Sequence, residues 1–555
     1  MLKRRQLHGK GTRCTTLKHS FIGAVVALCA QGAWTGSLAE EARGYPFPEH
    51  IDQKKIKSYP IESLYKWGGE IFKAPFNHLD GSGRNFRDDP IDEIRMPYSR
   101  IPRADLPGFV SDPIRMSGPG ARNCKECHNS FNGNIQNSLF DFRRSGNIAD
   151  FAERNTPNIA GMGPLQLIAE QTSKELWKLR DDAIQKAQET GMEITVEMVS
   201  SNNIHYGSLV AFPDGSLDTS AIYGVEAKDN FFLLSKQFQV VPYYLKGEVG
   251  FLRITSATSP TGLQSPEMYP ADVDGDNDGV VGELSTGDVT AITVYTASQP
   301  RPVTKLELHT HLGGKFKLKR EEIKRIKTGE VLFGESGCAN CHTPALVIND
   351  ATFREPSATP GYSFPFFWNK YFKDDGSPGF TDPRPLGYDI ADPLEFSLRD
   401  LASIPCKRGE ATRDGDNYYG RPKKPSAADK TCWREYELAG DNGIVIRAYS
   451  DLKRYDMGEG LADPVPSFGF TPGSIWRTKP LWGVGSTGPW LHDGRATTLY
   501  EAIRWHKGDA DYSRELFFNM SEQEQDAIID FLNNLVIYNP QEDAVQHSGM
   551  GFPNS

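Results

Sequence analysis

Two short stretches carry the chemistry of this chain. "NCKECHNS" (residues 123–130) and "GESGCANCHTP" set Cys124, Cys127 and His128, and again Cys338, Cys341 and His342, in the pattern C-x-x-C-H. Such a pattern can bind zinc, form a redox pair or attach a haem. Zinc needs four soft ligands, usually from a second pair close by, and no cysteine lies between Cys127 and Cys338. A thioredoxin-like pair needs a βαβ setting, whereas the flanks "MSGPGARN" and "NSFNGN" read as loop. The remaining chemistry is covalent: both thiols bond the vinyl groups of a haem and the adjacent imidazole reaches the iron. The chain has only 8 cysteines in 555 residues, so two copies by accident are not expected. The reading is two covalently bound haem c groups.

Other residues invite weaker readings. "DVDGDNDGVVGE" (272–283) places Asp274, Asp276 and Asp278 at alternate positions before Gly279, with the Val280 carbonyl next, as in an EF-hand-type calcium loop. Its twelfth position is Ser285 instead of Glu, so Glu283 or Asp288 would have to substitute; the alternative is an acidic turn before a helix. "HTH" (309–311) reads as two linker histidines in water sooner than as a metal site. Cys406 and Cys432 are left over once the haem cysteines and the N-terminal pair are set aside, and in an oxidising compartment they read as a disulfide.

The compartment follows from the N-terminus. Residues 1–39 hold six Lys/Arg and no acid, then the apolar "FIGAVVALCA" and the small residues Ser37 and Ala39. That is a secretory signal with cleavage expected after Ala39. Its apolar run is too short to span a bilayer, and no later segment qualifies. Arg4-Arg5 hints at twin-arginine export, but haem attachment outside the cytoplasm favours the general route, and Cys29 lacks the small residue of a lipoprotein site. Removing the six cations moves the formal charge from −10 to −16. An acidic mature chain argues against nucleic acid and for basic partners, such as a small cytochrome or cupredoxin.

The elements that must position these groups form a divergent repeat. Each half carries C-x-x-C-H and then an Arg-x-x-Pro turn with two glycines: Arg154, Pro157, Gly161 and Gly163, then Arg477, Pro480, Gly483 and Gly485. The second half holds an insertion over 350–470. Helices are expected at 165–190, 285–298, 320–334, 497–507 and 521–536, the last capped by Ser521. With 53 Gly and 37 Pro, much of the chain is loop. The predicted architecture is mostly α: a signal at 1–39, a polar, Pro-rich arm (40–110) leading the first haem domain within 40–305, and a second haem domain at 306–555. Both domains are class I-like c-type cytochromes.

Together with "GPWLHDGRATTLYEAI" (488–503), these residues resemble the bacterial di-haem cytochrome c peroxidase superfamily over most of 110–345 and 470–540. The superfamily also includes the maturation enzyme of methylamine dehydrogenase and a rubber oxygenase. The resemblance implies a reactive haem on Cys124, Cys127 and His128, and a high-potential electron store on Cys338, Cys341 and His342. Peroxidases place a methionine one helix length after H-D-G-R as the store's second axial ligand; here that position is His506, with His492 the competitor. Imidazole there lowers the potential. Calcium between the haem domains is also a family feature, though with other ligands.

The first half departs from the peroxidase pattern. Aligning "YYLKGEVGFLRITSATSPTGLQSPEM" (243–268) with W-D-G-R-A-x-[ST]-L-E-x-Q…E-M-G puts Leu245 at the inter-haem Trp, Thr255 at the Gln, and Pro260 or Thr261 at the Glu that helps split peroxide. Trp177 is the only Trp between the two motifs and reads as core. Glu248, Gln264, Glu267 and His205 are substitutes for the proton shuttle, and Tyr243 or Tyr244 for an electron relay. Peroxide reduction is therefore the leading expectation. An oxygenase acting on an apolar substrate and a pure electron carrier are the rivals; the last would take Met162 or His205 as a sixth ligand of the first haem.

Overall fold

The computed structural model describes residues 42–82, 123–128, 136–140, 151–225, 240–243, 246, 250–257, 261–266, 279–359, 389, 391–399, 436–463, 471–539 and 544–545. The N-terminal signal, Asp274, Asp276, Asp278, Cys406, Cys432, Tyr244, Leu245, Glu248, Pro260 and Glu267 lie outside the described residues, as do the side chains of Cys127 and Arg154. The chain divides into two compact units, Met1–Arg43 and Gly44–Ser555, and both C-x-x-C-H motifs fall in the second.

Two helix crossings of the same design organise this second unit. The stretch read as a polar arm contains a helix, α1 (Ile61–Lys73), that buries Leu64, Tyr65, Gly68, Ile71 and Phe72. That spacing is the apolar stripe of a 3.6-residue period; the prolines around it hid the signal. The short helix α2 (Cys124–His128) carries the first motif, and α3 (Met162–Thr190) runs between left-handed Gly161 and Gly191. α1 packs on α4 (Thr286–Ala297), which is buried along its whole length and held at its start by a reciprocal Ser285–Asp288 cap. In the second half α5 (Arg320–Glu335) packs on α7 (Glu522–Asn534), capped by Ser521 and Glu524, with α6 (Leu499–Trp505) before it.

The contact residues correspond one for one. A Cβ on Gly68 would lie 2.0 Å from the Ala291 carbonyl oxygen, and one on Gly329 1.8 Å from that of Ala527. Four residues on, Phe72 meets Tyr295 with ring centres 5.1 Å apart, and Phe333 meets Phe531 at 5.3 Å. The two Gly-Gly turns also match. Gly161 and Gly483 take φ of +67° and +81°, a region that only glycine enters freely. A Cβ on Gly163 or Gly485 would lie 2.3 or 2.7 Å from a carbonyl oxygen at the end of α4 or α7.

Antiparallel strands are small additions: β1 (Gln136–Phe140) with β2 (Phe151–Asn155), β3 (Ile194–Val199) with β4 (His205–Ala211), and β5 (Arg454–Asp456) with β6 (Ile475–Arg477). No described helix is long and apolar enough to cross a membrane.

Candidate cofactor site

Cys338, Cys341 and His342 follow α5 and line a cavity of about 400 Å³, a size suited to a small organic ligand. Apolar walls come from Phe333, Trp482, Trp490, Leu499 and Leu532. Across it stands His506, at the C-terminal cap of α6. The two imidazoles face each other with ring centres 6.5 Å apart. One metal between them, at about 2 Å from each nitrogen, would hold the centres roughly 6 Å apart.

Both rings are fixed through the other nitrogen. His342 Nδ1 bonds the Tyr449 carbonyl at 3.0 Å and His506 Nδ1 that of Ala502 at 2.8 Å. Each therefore presents Nε2 to the cavity, the arrangement of metal-ligating histidines. Burial, and then His506, push His342 down to about 4, and burial lowers His506. Near neutral pH both are uncharged, as a ligand requires. Burial and then Asp451 raise Cys341 to about 11, and burial raises Cys338, so both are thiols near neutral pH. Two thiols and two opposed neutral imidazoles on one apolar cavity fit a covalently attached haem.

His492 also reaches this wall, but as a brace. Its ring stacks on Trp476 at 4.0 Å and its Nε2 lies 3.6 Å from Asp463 Oδ1.

At the first motif His128 is half-buried, its desolvation lowers its pKa, and its Nδ1 bonds the Pro157 carbonyl at 2.9 Å. Phe72 of α1 approaches its ring at 6.0 Å, as Phe333 of α5 approaches His342 at 6.2 Å. The Arg-x-x-Pro turn thus anchors the first histidine directly. The second histidine is anchored by Tyr449, whose φ of +51° is rare for a side-chain-bearing residue, and also meets the backbone of Lys479 in the second Arg-x-x-Pro turn. The Asp451 N–H donates to the Cys341 carbonyl at 2.9 Å, Ser450 N–H to Thr343 at 3.0 Å, and Leu481 N–H to Ala448 at 2.9 Å. The last part of the supposed 350–470 insertion is therefore a wall of the site; Tyr455, Met457 and Leu461 from it line the cavity.

The two sites adjoin. Asn155, Thr156, Pro157 and Asn158, from the loop that fixes His128, line the second cavity. Asn155 ties that loop to the H-D-G-R element, its N–H donating to the His492 carbonyl at 2.6 Å and its Nδ2 to that of Pro489 at 2.5 Å. Buried Trp482 packs on the same loop, where a Cβ on Gly161 would lie 2.6 Å from its ring.

Several sequence candidates stand elsewhere. Trp177 is core, His205 is exposed on β4, and Gln264 clamps the Glu283 carboxylate through its backbone N–H and Nε2 at 2.7 and 2.8 Å. The Thr255 hydroxyl bonds back to the Leu252 carbonyl at 2.6 Å, Thr261 is buried, and the Tyr243 hydroxyl bonds the Met162 carbonyl at 2.7 Å. Of the calcium set only Val280 is described. Its two substitute ligands are committed elsewhere: Glu283 to Gln264, and Asp288 to Tyr45, His50, Ile51 and Ser285. His309 Nδ1 accepts the Leu318 N–H at 2.9 Å. Among the described residues no group of three or more His, Cys, Asp or Glu side chains could by itself hold a metal ion.

Residues 425–535 match the family model described as "Di-haem oxidoreductase, putative peroxidase". Over that stretch the match supports the di-haem oxidoreductase superfamily. It begins inside the stretch taken as an insertion, in keeping with the role of Tyr449. No curated protein matches the chain.

Proposed function

We propose that the protein is a c-type di-haem oxidoreductase of the peroxidase kind, working outside the cytoplasm. In this reading a small oxidant, peroxide foremost, is reduced at the site of Cys124, Cys127 and His128. Electrons come from a small cytochrome or cupredoxin by way of the site of Cys338, Cys341, His342 and His506. The observation that carries the reading is the pair of opposed imidazoles, 6.5 Å apart, over one C-x-x-C-H motif. The repeated helix crossings support two class I-like cytochrome domains, within 40–305 and 306–555. Calcium at Asp274, Asp276, Asp278 and the Val280 carbonyl is a subsidiary part of the proposal.

When bound, haem supplies one-electron chemistry and, where a face is open, a place for an oxidant. The chain does the rest. Tyr449 and Ala502 set which imidazole nitrogen faces the cavity, and Pro157 does the same for His128. The aromatic walls give the second site a largely apolar lining, which favours transfer of electrons without protons there.

The test is stopped-flow absorbance of the matured protein with hydrogen peroxide, with and without partial reduction. Fast oxidation, with turnover when reduced cytochrome is supplied, is expected. No reaction in either state would sink the peroxidase assignment; O2 binding would then favour the oxygenase, and indifference to O2 an electron carrier.

A further inference from the structure

The helix crossing is repeated in the two halves, but one side chain on it is not. Gly329 and Phe333 of α5 make the contacts that Gly68 and Phe72 make on α1, so Glu330 takes the place of Gly69. Glu330 is exposed, yet its Oε1 accepts the Tyr449 hydroxyl at 2.8 Å. Tyr449 is buried, its ring against Phe333 and Phe531 at 6.2 and 5.4 Å, and its carbonyl accepts the Nδ1–H of His342 at 3.0 Å. Of the two backbone groups that meet His342, that of Lys479 lies in the turn shared with the first half, so Tyr449 is the added one.

The two anchors differ in what holds them. The carbonyl that meets His128 belongs to Pro157, whose own ring fixes its φ. Tyr449 has φ of +51°, a left-handed backbone that a side chain disfavours, so it stays there only where its surroundings hold it. Its ring is packed, and the bond to Glu330 pins the far end of the side chain. The matching place on α1 offers no such brace, since a Cβ on Gly69 would already lie 3.0 Å from the Tyr295 ring.

We propose that Glu330 is a positioning residue of the second site: acting through Tyr449, it holds the His342 imidazole in the orientation that faces His506. The inference rests on the haem reading above, in which these two imidazoles are the axial ligands of one haem. A carbonyl held on Nδ1–H fixes the ring plane and makes the other nitrogen a stronger donor. A released carbonyl leaves the ring free to turn, and the angle between the two rings, 51° here, then varies. The second site alone has this strut, which suits a site that passes electrons without rearranging.

The test uses the full chain matured with haem. Pyridine haemochrome comes first; fewer than two haems in the unmodified protein would overturn the haem reading and this inference with it. Glu330 is exposed on a helix, so alanine there spares the fold. With two haems present, E330A is expected to broaden the low-spin ferric EPR signal and shift its largest g value, which follows the angle between axial imidazoles. It should also move the oxidised-to-reduced ratio of that haem about threefold toward reduced at fixed poise, as a weaker histidine donor does. E330Q, whose amide oxygen accepts the same hydroxyl, should restore both. Y449F should match E330A, and the double variant should add nothing to either, because one linkage has been cut twice. An EPR signal and potential unchanged in E330A would overturn the proposal, as would additive effects of E330A and Y449F. So would E330Q behaving as E330A, because the charge of Glu330 and not its hydrogen bond would then be at work.

Discussion

The position of His506 was legible because a side chain at a fixed distance from H-D-G-R marks it, and the structure sets its ring 6.5 Å from that of His342; that it ligates iron belongs to the proposal. Tyr449 was not, because a backbone carbonyl does the work and leaves no residue type to recognise. His506→Ala should convert the low-spin haem to high-spin in the absorbance spectrum, and an unchanged spectrum would remove His506 from the iron. His506→Met should keep it low-spin with a higher potential in redox titration. Asp451 gives a pH signature. Burial raises it to about 6 against an ordinary 3.8, so the folded state binds its proton more tightly than the unfolded state does. Its contribution is full below about pH 3.8 and is lost as pH rises through about 6. Urea titrations between pH 4 and 6 should show the unmodified protein losing stability relative to Asp451→Asn; parallel curves would refute the shift.

At the scale of elements, the crossings rest on missing side chains. Gly329→Ala would drive a methyl into the rigid Ala527 backbone. It should cost about 1–3 kcal/mol, as overpacking does. Gly68→Ala should behave alike against Ala291. Gly334 lies near the end of the same helix, α5, and a Cβ there would meet nothing within 4 Å. Gly334→Ala is therefore the control: it should stabilise by about 0.5–1 kcal/mol through helix propensity alone. Chemical denaturation distinguishes the three, and equal effects at Gly329 and Gly334 would refute the close crossing. Helices with strong caps, such as those beginning after Ser285 and Ser521, were readable within a few residues of their ends. α1 was missed because its stripe sits among prolines and charges whose composition resembles a loop.

Across the whole molecule, buried cations stitch the halves. Lys246, before α4, sends its ammonium to the carbonyls of Pro472, Gly473 and Ile475 at 3.0, 2.6 and 3.0 Å, with Asp463 at 3.6 Å and the Trp476 ring centre at 3.8 Å. Lys246→Met should destabilise by about 3–5 kcal/mol, as loss of one partner of a buried ion pair does. Calorimetry should show both halves melting together at a lower temperature; an unshifted transition would refute the role of this lysine. No motif pointed to such stitching, since a lone lysine is common and its partners are backbone oxygens far along the chain. The loop Asn155–Asn158 has a wider consequence. It fixes His128 on one side and walls the second cavity on the other, so a substitution that displaces this loop is expected to disturb both sites together.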